Sequence, residues 1–357
     1  MKKKVVILSA FLTPFRSGAE ACAEEVPLIL SEEYDFVIIT SRMRRSLPKR
    51  DMLQGKIPVI RVGIGIARVD KWLYPFLASL EARKHKPDIV HAILETFAGL
   101  GLLLCKFTVP SAKRILTCQT TNRSFFKGTI VRSAETVTAI SNHLADIVRK
   151  LGRGDVVIIP NGIHVKQFAE ATRTYTKVPG RILSVGRLEK MKGVDLLLKA
   201  FAKLNDSSAT LRIVGNGTQR AVLTALAKEL GIHDRTTFVG HVPPADLYRE
   251  YAEADVFCGF SRSEALGNVF IEAMAAECVV LASDIGGIKE IVPQESRITL
   301  DSSPEIVASR LQECFMKDES ARSTIRQSMM HNFNWSVIAP QYAALYDRLL
   351  SRTSAAA

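Results

Sequence analysis

Short uninterrupted runs of Val and Ile recur along the chain, and they constrain its fold more than any other feature. They stand at Val5–Ser9, Phe36–Thr40, Val59–Val62, Ile89–Ala92, Ile115–Cys118, Thr136–Ile140 and Val156–Ile159. A strand with one wet face alternates apolar and polar residues. A continuous apolar run needs cover on both faces, which a parallel sheet flanked by helices supplies. Helix-period segments such as Ala19–Leu30 and Asn142–Leu151 lie between the runs, as crossover connections require. A second series follows at Ile182–Val185, Thr210–Val214, Thr236–Val239, Val256–Gly259 and Val279–Ala282, with helical segments at Val194–Leu204 and Gln219–Leu230. Pro160-Asn161-Gly162 separates the series with a turn signal, and the polar stretch from there to Gly180 reads as a linker. The pattern predicts an α/β protein of two doubly wound domains, residues 1–165 and 166–335, facing a central cleft. A last helix over 336–357 follows, with apolar residues at Trp335, Ile338, Tyr342, Leu345 and Leu349.

Composition removes several classes. With 47% hydrophobic and 24% charged residues, the chain can bury a core and needs no stapling. Its six cysteines form no CxxC pair and have no His at zinc-ligand spacing, so they read as idle thiols in a reducing compartment. Lys2–Lys4 and Val5–Ala10 imitate a signal peptide, but the apolar run is short and Pro, Arg and Gly follow it. The apolar stretch Phe97–Leu104 falls far short of the ~20 residues of a spanning helix. A cytoplasmic protein is expected, peripheral at the inner face of a membrane. Residues 1–165 hold 25 Lys+Arg against 14 Asp+Glu, and residues 166–357 hold 23 against 22. A basic half beside a balanced one suits an anionic surface or a phosphate-bearing substrate. Nucleic acid is disfavoured, because no recognition helix, zinc finger or RNP-like strand is present.

Three connections carry chemistry. After Ile182–Val185, Gly186 opens a loop bearing Arg187 and Lys192 just before a helix. Arg grips phosphate oxygens bidentately, Lys adds a point charge, and a helix N-terminus favours anions; by themselves, however, these residues also fit a solvated basic loop. Gly215-Asn216-Gly217 follows Thr210–Val214, without the third glycine of a dinucleotide fingerprint. It permits close backbone approach to a ligand, or a tight turn. After Val256–Gly259 comes Glu264, then Gly267 and Asn268 at a helix start, then Glu272, with seven residues between the two glutamates. Ionised carboxylates accept hydrogen bonds from sugar or ribose hydroxyls. Glu272 lies among Phe270, Ile271, Ala273 and Met274, where a carboxylate requires a partner.

Together, Arg187, Lys192 and the Glu264/Glu272 pair resemble the retaining GT-B glycosyltransferases of glycosyltransferase family 4, whose two domains are Rossmann-like. The likeness extends to Gly18-Ala19-Glu20, Pro87-Asp88-Ile89-Val90-His91, Ile158-Ile159-Pro160-Asn161-Gly162 with Phe168, Phe238-Val239-Gly240, Ala254-Asp255-Val256-Phe257 and Trp335. The resemblance implies a nucleotide-sugar donor whose diphosphate is held by Arg187 and Lys192, with Gly186 and Gly215 alongside. It implies that Glu272 binds the ribose and that Glu264 contacts the donor sugar and acts catalytically. Backbone N–H groups of Asn268, Val269 and Phe270 would also meet the donor. Gly18, His91 and Gln119 would line the acceptor or cleft side. No cofactor and no metal are implied, and the last helix would cross back to the N-terminal domain.

Several positions depart from the family pattern. Ser17 replaces one of two adjacent glycines, and Gln119-Thr120-Thr121 stands where an active-site His is common. Ile163 and His164 replace a Val and an Asp, and Glu277 and Val279 replace a Gly and a Pro. The expected activity is transfer of a hexose-type sugar to a glycan or lipid-linked acceptor in cell-envelope polysaccharide or glycolipid synthesis. A sugar-nucleotide epimerase or phosphorylase on the same architecture, or a non-catalytic partner, are the alternatives. Two basic clusters, Arg42–Arg50 and Arg68–Lys86, the latter with Trp72, Tyr74 and Phe76, suit a helix lying on an anionic membrane.

Overall fold

The computed structural model describes the chain except for residues 1, 16–17, 123, 125, 318–328, 330 and 355–357; the Ser17 departure therefore lies outside the described residues. The chain divides into two compact units, residues 1–162 with 335–357, and residues 163–334.

The first unit is built on β1 (Lys3–Leu8), β2 (Tyr34–Ser41), β3 (Arg50–Leu53), β4 (Ile57–Val62), β5 (Ile89–Ile93), β6 (Lys113–Cys118), β7 (Thr136–Ala139) and β8 (Val156–Ile158). Their order in the sheet is β3-β4-β2-β1-β5-β6-β7-β8. All pairings are parallel except β3 with β4. The Val/Ile runs are the central strands, and every residue of β5 is buried. One face of the sheet, including Val5, Ile7, Ile38 and Ile89, packs on the helix Gly18–Leu30 and the C-terminal helix Trp335–Ser354. Tyr34 Oη fixes that last helix by donating to Asp347 at 2.6 Å. The sequence reading missed β3, which is short, polar and exposed and so leaves no apolar run. Its three-residue connection, Gln54–Lys56, has positive φ at Gln54 and Gly55, and the Lys56 N–H donates to the Leu53 carbonyl at 3.0 Å.

The second unit contains β9 (Arg181–Val185), β10 (Thr210–Val214), β11 (Thr236–Gly240), β12 (Val256–Gly259), β13 (Val279–Ser283) and β14 (Arg297–Ile298). All are parallel, in the order β11-β10-β9-β12-β13-β14. Counted from β9 this is 3-2-1-4-5-6, the Rossmann order. The two-residue β14 is too short to leave a sequence signal. The expected linker is instead partly helical, over Val165–Thr174. Val165, Phe168 and Ala171 form a short buried stripe, and the Phe168 ring meets Tyr248 and Tyr251 with centroids 4.7 and 5.6 Å apart.

The helix Asn268–Ala275 ends where the family pattern has a glycine and this chain has Glu277. Glu277 nevertheless takes the left-handed conformation, φ 58°, and the Cys278 N–H donates to the Ala273 carbonyl at 2.9 Å, closing a Schellman-type cap. A side chain in that conformation costs about 1 kcal/mol relative to glycine. Glu277→Gly is expected to stabilise the protein by up to about 1 kcal/mol, read as an increased urea midpoint at unchanged slope.

Candidate functional site

The strand order of the second unit reverses between β9 and β12, so the connections leaving their carboxyl ends diverge and open a crevice. Both predicted motifs lie on those connections. The first runs from Gly186 through a 3-10 turn at Lys190–Lys192 to Gly193, where the helix Val194–Ala202 begins. Gly193 has φ 65°, and a Cβ there would lie 1.9 Å from the Phe260 carbonyl oxygen. Only glycine lets the two connections touch. Arg262 then joins them: its guanidinium donates to both Asp195 oxygens at 2.9 and 2.8 Å and to the Lys190 carbonyl at 2.6 Å. Its backbone N–H also donates to the Met191 carbonyl at 2.7 Å. The Arg262 hydrogen bonds hold the Asp195 carboxyl below the usual carboxylate range.

This crossing brings Lys192 onto Glu264. The Lys192 ammonium donates to Glu264 Oε2 at 2.5 Å, and Ser261 Oγ donates to the same oxygen at 3.2 Å. The Glu264 backbone carbonyl accepts from Gly287 N–H at 3.1 Å, which ties the loop to the next connection. Arg187 is exposed at the mouth. Gly186, Arg187, Lys192, Ser261, Val269 and Phe270 line one pocket. An ammonium has three donors, so Lys192 can keep Glu264 and still reach a second acceptor.

Glu272 is half-buried one turn into the helix Asn268–Ala275. The partner its apolar surroundings call for is Tyr251, whose hydroxyl donates to Oε2 at 2.7 Å. Burial pushes the Tyr251 phenol well above its ordinary range, so it remains a donor. Gly215 has a different basis. With φ 130°, a Cβ on it would lie 1.9 Å from the Gly186 carbonyl oxygen. It lets β10's loop underlie the Arg187 loop, whose Gly186 and Leu188 N–H groups donate to Val214 and Asn216 carbonyls at 3.0 Å each.

In the first unit, the connections after β5 and β6 converge on a carboxylate. Leu94 is a non-glycine residue at φ 83°, and the turn it makes leads into the fully buried Glu95. Glu95 accepts from the Gln119 and Thr120 N–H groups at 2.8 and 3.2 Å and from Lys127 Nζ at 2.8 Å. Lys127 also donates to the Thr120 and Asn122 carbonyls at 2.6 and 3.2 Å. The Gln119 amide pairs reciprocally with that of Asn161, at 3.1 and 2.7 Å.

Residues 168–328 match the family model described as Glycosyl transferases group 1, and residues 17–167 match that described as Glycosyltransferase Family 4. The chain belongs to glycosyltransferase family 4. Glycogen synthase of Mycobacterium tuberculosis is 28% identical to it over 289 residues, 74% of this chain and 69% of that one. D-inositol 3-phosphate glycosyltransferase of Nocardia farcinica is 35% identical over 156 residues, 39% of this chain and 35% of that one. Among solved structures, sucrose-phosphate synthase from Thermosynechococcus elongatus superposes with TM-score 0.85 at 21% identity, covering 98% of this chain and 100% of that one. Anabaena HepE in complex with UDP and glucose gives 0.77 at 19%, covering 97% and 100%. The fold is GT-B.

Two expectations for this glycosyltransferase need correction. His91 does not line a cleft: it is fully buried, with Nδ1 at 2.8 Å from Tyr346 Oη and Nε2 at 2.7 Å from Thr117 Oγ1. It joins the sheet to the C-terminal helix. Nor is the Phe270 N–H available to a ligand, because it donates to the Gly267 carbonyl at 2.9 Å. The Phe270 ring packs edge-on against Phe257, leaving Asn268 and Val269 as the half-buried start of the helix. Gly18 begins the first helix and is exposed, whereas Gln119 is buried against Asn161. The sequence reading missed Glu95, Lys127, Arg262 and Asp195. Glu95 had a signal, a lone acid after a buried strand and before Phe97, but its partner is distant in sequence.

Burial holds the His91 imidazole neutral, its pKa pushed down to about 3, while an unfolded imidazole titrates near ~6.5. The unfolded chain therefore takes up this proton first. The stabilisation is complete above about pH 6.5 and is lost as pH falls from there toward about 3. Stability is expected to decline between about pH 7 and pH 5, and His91→Gln to flatten that part of the profile in urea titrations.

Proposed function

We propose that this glycosyltransferase moves a hexose from a nucleotide-diphosphate sugar to a glycan or lipid-linked acceptor, with retention of anomeric configuration. The reading rests chiefly on one observation: Arg187 and Lys192 border a single pocket at the switch point, with Glu264 bonded to the lysine. A diphosphate leaving group needs cations where its charge grows. Arg187, Lys192 and the N-terminus of the helix Asn268–Ala275 supply them, so the reaction runs without a metal. The bond from the anomeric carbon to the phosphate oxygen breaks, and its electron pair stays on the diphosphate. The acceptor hydroxyl attacks from the same face, and its proton passes to the departing phosphate. Glu264 contacts the sugar and holds Lys192 in place, while Glu272, oriented by Tyr251, accepts from the ribose hydroxyls. Gly186 and Gly215 shape the loops beneath the donor.

Nucleoside diphosphates in related folds support the donor class. HepE was solved with UDP-glucose, and starch synthase IV of Arabidopsis thaliana with ADP and acarbose. The acceptor side is assigned to the first unit, with Gly18 at its first connection and Gln119 beside Asn161. The role is cell-envelope polysaccharide or glycolipid synthesis, at the inner face of a membrane that the basic first unit meets. Among the described residues, no helix is long and apolar enough to cross a membrane.

Arg187→Ala and Lys192→Ala are each expected to lower kcat/KM by about 10²–10³-fold. Their melting temperatures should stay close to the parent's, and stabilisation by UDP, GDP or ADP should shrink. Unchanged sugar transfer in both variants would refute the assignment.

A further inference from the structure

The helix Ala67–Lys84 is inverted relative to an ordinary surface helix. Its large apolar residues Val69, Trp72, Leu73, Phe76 and Leu80 follow the i, i+3, i+4, i+7, i+11 spacing of a core-facing stripe, yet all five are exposed, Trp72 at 69% and Phe76 at 60%. The buried face carries Asp70, Tyr74, Pro75, Ala78, Ser79 and Ala82, mostly small residues that let the neighbouring helix Phe97–Thr108 pack closely. That neighbour extends the outer patch. Its Phe97 ring meets Trp72 edge-on at 5.3 Å, and Phe107 at its end is 75% exposed.

The patch continues into the loop before the helix. Ile64 and Ile66 are exposed there, and Ile66 bridges Arg44. Asp70 is fully buried and holds this loop rigid, accepting from the N–H groups of Met43, Ile64, Gly65 and Ile66 at 3.2, 2.8, 2.8 and 3.2 Å. Basic residues border the apolar surface: Arg44, Arg45, Arg68, Arg83, Lys84 and Lys106 are all exposed. The acids nearby are already engaged. Asp70 is occupied by backbone amides, and Glu81 pairs with Lys84 at 2.5 Å and with His85 at 3.7 Å.

We infer that the outer face of the helices Ala67–Lys84 and Phe97–Thr108, with the Ile64–Ile66 loop, is an insertion surface for an anionic lipid bilayer. An apolar patch this extensive marks an interaction site. Its basic border complements anionic headgroups, whereas a second copy would bring like charges together. Trp72 and Phe76 seat in the headgroup–acyl boundary, and the arginines and lysines contact phosphates. The proposal sharpens the membrane contact suggested above and is independent of the donor chemistry, so either can fail alone.

The chain has two tryptophans, Trp72 exposed and Trp335 buried. With the full chain, co-sedimentation is expected with phosphatidylcholine–phosphatidylglycerol vesicles and not with phosphatidylcholine alone, accompanied by a blue shift of Trp72 emission. Trp72→Ser with Phe76→Ser, and separately Arg68→Glu with Arg83→Glu, should each weaken binding by about tenfold or more at unchanged melting temperature. Absence of binding to the anionic vesicles, or equal binding by the Trp72→Ser/Phe76→Ser variant, would overturn the proposal. So would lipid-free dimerisation that this variant abolishes, because the patch would then serve a second copy.

Discussion

Two connections in the second unit meet backbone to backbone where Gly193 lies against the Phe260 carbonyl, and the chemistry of that unit depends on this contact. It sets how close the loop after β9 comes to the loop after β12. Arg262 then locks the distance through Asp195 and the Lys190 carbonyl, and Lys192 reaches Glu264 because of it. A lysine on a long flexible stem loses considerable entropy when held in one place. The Glu264 carboxylate and the short turn at Lys190–Lys192 set its position, the preorganisation that its proposed role at a diphosphate requires.

The first unit uses a buried charge for a comparable purpose. Glu95 and Lys127 are almost wholly out of water, at 0% and 5% side-chain exposure. Such a pair repays its desolvation only when its remaining hydrogen bonds are made. Here they are made to the backbone of residues 119–122, so the pair shapes the connection after β6. That connection carries Gln119 in place of the family's common histidine. Its amide is committed to Asn161, so it stiffens the connection more than it offers itself to a sugar.

The place of the candidate site was legible because topology and motif agree. A doubly wound sheet presents ligands with the connections at its carboxyl edge, and Arg187, Lys192, Glu264 and Glu272 all follow strands whose Val/Ile runs are evident. A histidine at the end of a family-like segment reads as facing a cleft, and His91 does not. Its position within β5, a strand covered on both faces, places it instead under the C-terminal helix. The Phe270 amide misled for a local reason, since a tight turn at Gly267 uses that donor internally.

The helix Ala67–Lys84 shows where sequence stops. Its apolar period marks a helix with one large hydrophobic face, which in an ordinary surface helix points to the core, but here that face is exposed. The direction was decided by the small inner residues and the close fit of the neighbouring helix. The sequence by itself determined the two α/β units, the strands that can only be covered on both faces, and the residue types of the proposed diphosphate site. Tertiary structure alone decided the partners: Tyr251 for Glu272, Lys127 for Glu95, Arg262 for Asp195. Periodicity and propensity act over a few residues, whereas hydrogen bonds and ion pairs join whatever the strand order brings within about 3 Å, and strand order is a property of the whole sheet.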